Sequence, residues 1–198
     1  IPVAEECGLL PAIGEWILYS ACRQAVKWQE EEDIQFDFPV AVNLSPKQLV
    51  NGDFIEILYK VLRDSSMPPA NLVLELTETA VMHNPDVAIS VLTKINSAGV
   101  MISVDDFGTG YSSLNYLKKL PINKLKIDRS FVKDIGIDQN GESIVKAILA
   151  LAHSLNLQVV AEGVEEQGHV DFLRAHDCEL LQGYFFSRPL PVDEVSEL

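Results

Sequence analysis

Two periodicities alternate along the chain. Apolar residues recur on one helical stripe at Ile13, Trp16, Ile17, Ala21 and Trp28, and again at Phe54, Ile57, Leu58, Val61 and Leu62. A third stripe, Ala88, Val91, Leu92 and Ile95, opens on Asn84-Pro85 as cap and first helical residue and closes at Gly99. A fourth holds Ile144, Val145, Ile148, Ala152 and Leu155. Between the stripes lie short runs rich in Val, Ile and Leu, at 39–44, 71–76, 100–104, 124–127, 158–161 and 179–184. Runs of that length and composition predict strands buried on both faces. Strand and helix in strict alternation imply right-handed crossovers and a parallel sheet. An open doubly wound sheet and a (β/α)8 barrel both fit that order, and no GxGxxG follows the first strand to mark a dinucleotide-binding variant.

The ends of the runs favour the barrel. Each closes in polar groups: Asn43, then Glu75 with Glu78, Asp105-Asp106, Lys126 with Asp128, Glu162 with Glu165, and Gln182. A ring of that kind at one depth is where barrel enzymes build active sites, because the strands stop there and the side chains meet. Parity agrees: Asn43 shares a face with Ala41, Glu75 with Val73, Asp105 with Ser103 and Glu162 with Val160, whereas Val40, Val42, Leu44, Leu72, Leu74 and Leu76 take the face that packs under helices. Adjacent Asp105 and Asp106 would point apart in a regular strand. Both reach the site only if the chain turns after Val104, a turn that Gly108 and Gly110 permit.

So many converging carboxylates repel unless something positive sits among them. Oxygen donors, with no Cys or His at ligand spacing, suit Mg2+ or Mn2+ better than Zn2+, and a bridged pair of ions would explain why the acids outnumber the ligands of one. Phosphoryl chemistry is a natural use of such a site. Lys126 reads either as a snorkelling side chain or as a proton-transfer or charge-stabilising group. Glu78 and Asp86 fit the first turn of a helix, and Glu78 reads as structural, tying down the loop at 106–113. His83, His153, His169 and His176 share no spacing and read as surface or helix residues; the acidic run at 30–33 reads as a solvated helix end.

Composition sharpens the class. The 198 residues are 47% hydrophobic and carry a formal charge of -14, which fits one globular domain and gives no footprint for duplex nucleic acid or an anionic membrane surface. No apolar run approaches the ~20 residues of a membrane span. Cys7, Cys22 and Cys178, odd in number and without CxxC spacing, read as free thiols in a reducing compartment, with the cytoplasm as the expected location.

Six segments together resemble the EAL-domain family of bacterial cyclic di-GMP phosphodiesterases: AVNLSPKQL (41–49), LELTET (74–79), VDDFGTGYSSL (104–114), LKIDRSFV (125–132), VVAEGVE (159–165) and LQGYFFSRPLP (181–191). The opening IPVAEECGLLPAIGEWIL is similar to the helix entry after the family's signature strand. The resemblance implies a modified (β/α)8 TIM-type barrel that hydrolyses cyclic di-GMP to linear pGpG with Mg2+ or Mn2+. It implies that Asn43, Glu75, Asp105 and Asp106 are metal ligands, with Asp105 bridging, and that Glu162 orients or deprotonates the attacking water while Lys126 holds that water or stabilises phosphate charge. Asp128, Gln182 and Glu165 match substrate-lining positions. The loop at 106–114 matches the one coupling substrate, metal and dimer contact, with Glu78 as its anchor. A homodimer and attached sensory or GGDEF-type domains are the implied partners. The Glu-Ala-Leu tripeptide and the Arg after it occur nowhere in the chain, so residues 1–198 read as a partial domain whose N-terminal strands are missing. Two other readings stay open: a cyclic di-GMP sensor without turnover, and, from the residues alone, an enolase-like barrel in which strand-end acids bind Mg2+ and a Lys abstracts a proton.

Overall fold

The computed structural model describes residues 7–30, 39–50, 52–110 and 114–195. Its helices are α1 (Leu10–Glu30), α2 (Pro46–Val50), α3 (Phe54–Ser65), α4 (Glu78–His83), α5 (Pro85–Ser97), α6 (Leu114–Leu117), α7 (Arg129–Val132), α8 (Gln139–Ser154), α9 (Gln167–Ala175) and α10 (Val192–Val195). The strands are β1 (Val40–Asn43), β2 (Leu72–Thr77), β3 (Met101–Phe107), β4 (Lys124–Ile127), β5 (Gln158–Glu162) and β6 (Leu180–Gln182). Each of the four apolar stripes lies in one long helix, except that Leu155 of the fourth is the C-cap of α8, and each apolar run carries a strand.

Every strand pairs in parallel with the next, in the order β1-β2-β3-β4-β5-β6. A doubly wound sheet reverses its order at a switch point, and this one does not; successive addition in one direction is the winding of a (β/α) barrel. The sheet is curled. Val42, Leu44, Leu72, Leu74, Leu76, Ile102, Val104, Leu125 and Ile127 are buried and join the core formed with the helices. The opposite parity lines a concave cavity of about 390 Å³, with Ala41, Val73, Glu75, Ser103, Lys124, Val160 and Gln182 among its walls.

Burial on both faces holds only at the middle of the sheet. Every residue of β4 is buried, whereas β1 and β6 keep exposed positions, because among the described residues nothing pairs with their outer edges. The expected turn after Val104 is also different. Strand β3 runs on to Phe107, and its register against β4 passes from Val104↔Leu125 to Phe107↔Ile127, three steps against two. That is a β-bulge, and the residue in the left-handed region is Asp106 itself, at φ 53. A short polar side chain tolerates that conformation better than most.

Candidate active site

Lys126 organises the ring of acids. Projecting from β4, it is 4% exposed, and its Nζ lies 2.8 Å from Glu75 Oε2 on β2, 3.2 Å from Asp105 Oδ2 on β3 and 2.7 Å from Glu162 Oε1 on β5. A reach across four strands requires the inward curl of the sheet. The positive group that the converging carboxylates demand is therefore partly supplied by the chain. Burial alone would lower the Lys126 pKa, but the hydrogen bonds and charges of Glu162 and Glu75 outweigh it and hold the ammonium above its ordinary range.

The bulge aims two consecutive acids at one place. Asp105 Oδ1 accepts from the Asp106 N–H at 2.9 Å, and carboxylate oxygens of Asp105, Asp106 and Glu162 lie within 4.8 Å of one another. All three groups are half-buried. Burial, reinforced by the charges of Asp105 and Asp128 and by a hydrogen bond with Asp128, raises the Asp106 pKa. Asp128 is also partly desolvated, but the bonds it accepts from Ser130 and Asp106 and the nearby Arg129 hold it below the usual carboxylate range. It doubles as the N-cap of α7, accepting from the Ser130 N–H at 2.9 Å. Burial likewise raises the Glu162 pKa, Lys126 opposes the shift, and the negative charges of Asp105 and Glu75 add to it.

The remaining expected residues lie around this centre. Asn43 ends β1 in register with Glu75. Glu162 pairs in register with Gln182, and both line a cavity of about 190 Å³ with Arg129, Gly163, Glu165, Gly183 and Tyr184. Glu165 is half-exposed, 3.9 Å from Lys133 Nζ. Glu78, first residue of α4, is 1% exposed, and its Oε2 accepts from the Gly108 N–H at 2.8 Å. That bond ties the start of α4 to the end of β3. Residues 111–113 of that loop, and 31–33 of the acidic run, lie outside the described residues.

Sequence reasoning passed over Arg129, Tyr184, Lys124 and His169. Arg129 was findable as the cation directly after a strand-end acid. Lys124 shares the parity of Lys126 and is buried inside the sheet, where burial lowers its pKa against the opposing charge of Glu75. His169 is a helix residue but not a surface one, at 3% exposure.

An oxygen-only donor set, half-buried and mutually repelling, fits a hard divalent cation. The model for the EAL domain matches residues 1–189. The chain belongs to the EAL domain family. It is 43% identical over 195 residues to a Pseudomonas aeruginosa protein named bifunctional diguanylate cyclase/cyclic di-GMP phosphodiesterase MucR, which covers 98% of this chain and 28% of that one. It is 42% identical over 199 residues to cyclic di-GMP phosphodiesterase NbdA of the same species, covering 100% of this chain and 25% of the relative. The solved structure of the MucR phosphodiesterase in complex with c-di-GMP superposes with a TM-score of 0.92 at 42% identity, covering 98% of this chain and 78% of that one. This EAL chain spans about a quarter of the length of the curated relatives it matches.

Proposed function

We propose that the protein is a cyclic di-GMP phosphodiesterase that opens one phosphodiester bond of the cyclic dinucleotide to give linear pGpG. The observation that carries this reading is the Lys126-centred constellation, with Glu75, Asp105 and Glu162 on three different strands and Asp106 turned in beside them by the bulge. The relatives' names give the substrate class. Asn43, Glu75, Asp105 and Asp106 would hold Mg2+ or Mn2+, two ions in this reading, which would supply a more acidic water and neutralise charge on the phosphate.

In the reaction, Glu162 takes the proton of the attacking water, and the water oxygen forms the new bond to phosphorus. The P–O3′ bond breaks, the 3′ oxygen takes up a proton from solvent as Glu162 releases its own, and the 5′-phosphate remains on the product. Lys126 keeps Glu162 and Asp105 in place and stabilises charge developing on the phosphate. Asp128, Gln182 and Glu165 line the substrate site, and Glu78 holds the loop beside it. The edges of β1 and β6, unpaired among the described residues, support a domain whose barrel is completed by further strands. The length of the relatives supports attached sensory or GGDEF-type domains, and we place the domain in the cytoplasm as a homodimer.

The test is incubation of the full-length protein with cyclic di-GMP and Mg2+ or Mn2+, followed by chromatography. Linear pGpG that disappears with a chelator is the expected result. Tight binding without product would make the protein a sensor, and neither binding nor product would overturn the reading.

A further inference from the structure

The turn after Glu162 is held at consecutive main-chain points, and one of the holders is a buried histidine outside the ring of acids. Gly163 turns the chain at φ 69. The Val164 N–H then donates to Gln182 O at 3.1 Å, and Val164 O accepts from the Phe185 N–H at 3.0 Å. The next amide, Glu165 N–H, donates to Nδ1 of His169 at 3.4 Å. A backbone amide only donates, so Nδ1 is the unprotonated nitrogen and Nε2 carries the hydrogen. Nε2 lies 3.1 Å from Glu166 Oε1, without the alignment of a hydrogen bond. Glu166 is the N-cap of α9 and makes no capping bond of its own, so the imidazole, reaching back from the third residue of the helix, ties down the chain entering it.

We infer that His169 is a positioning residue for the substrate cavity: its Nδ1 fixes the Glu165 main chain, and so the direction from which the Glu165 carboxylate enters the cavity shared with Glu162, Gln182 and Arg129. The half-exposed Lys133 partner at 3.9 Å is too weak a constraint to set that direction. His169 lies behind the turn and acts through Glu165. The kinetic part of this inference rests on the phosphodiesterase reading; the structural part does not.

Amide exchange in the full-length wild-type protein tests the structural part. The Glu165 amide should be protected, in His169→Asn it should stay protected because Oδ1 replaces Nδ1 as acceptor, and in His169→Leu protection should be lost. With cyclic di-GMP as substrate, His169→Leu should raise KM about three- to tenfold, the scale of one hydrogen bond, with kcat within about twofold, and His169→Asn should restore KM. A rapidly exchanging Glu165 amide in the wild type overturns the inference, as does an Asn variant that behaves like Leu or a folded Leu variant with wild-type KM. If Leu unfolds the protein, wild-type and Asn exchange decide the matter. A wild-type protein that makes no pGpG defeats the phosphodiesterase reading, and amide exchange alone then judges His169.

Discussion

At the scale of single residues the site is a balance between burial and charge. An ammonium at 4% exposure is costly to desolvate, and three carboxylates within 3.2 Å offset that cost. Lys126 in turn relieves the repulsion among those acids. Replacing Glu162 by Gln preserves shape and leaves Lys126 with Glu75 and Asp105, while removing the proposed proton acceptor. Turnover of cyclic di-GMP by Glu162→Gln should fall by about 10²–10⁴, with binding retained within a few-fold, measured by single-turnover kinetics and calorimetry. Unchanged turnover would take Glu162 out of the chemistry. The members of this cluster are legible in the sequence, because each sits at the polar end of an apolar run with the parity of small interior residues. Their pairing is not: nothing in the sequence says that one lysine reaches three strands, since that depends on how far the sheet curls.

At the scale of elements, two irregularities do what periodic strands cannot. The bulge in β3 converts neighbouring acids of opposite parity into neighbours in space. At the other end, Gly183 lets β6 lie against the turn after β5, since a Cβ there would collide with the main-chain O and N of Val164. Those atoms are backbone and cannot swing aside. Gly183→Ala should therefore destabilise the fold by about 3 kcal/mol in denaturant titration and displace Gln182 and Glu165, raising KM as well. A variant of wild-type stability would show that the β5–β6 junction yields. Sequence periodicity locates all the strands to within a few residues but ends β3 early. A bulge has no period, and Asp106 in the left-handed region is invisible to a count of apolar positions.

At the scale of the whole molecule, the edges of the sheet govern behaviour. Among the described residues β1 and β6 each present an unpaired edge, and the concave cavity beside them exposes Leu180. Edges of that kind recruit other chains unless covered. Residues 1–198 produced alone should self-associate beyond a dimer in light scattering and hydrolyse cyclic di-GMP poorly, whereas the full-length protein should do neither. A monomeric, fully active 198-residue protein would show that the edges need no cover. The charge of -14 opposes association at low salt, so self-association should increase as ionic strength rises.

What the sequence alone determined is the alternation of elements, the parallel sheet, the identity of the strand-end acids and the family to which six motifs in order point. These follow from short-range patterns that local chain geometry turns into structure. Only the tertiary structure decided that the strands add in one direction rather than reversing, that Lys126 rather than an ion alone answers the acids, that Asp106 turns inward, and that His169 is buried behind Glu165. Each of those depends on residues brought together across strands, where curl, register and close backbone approach set the distances and no local pattern carries them.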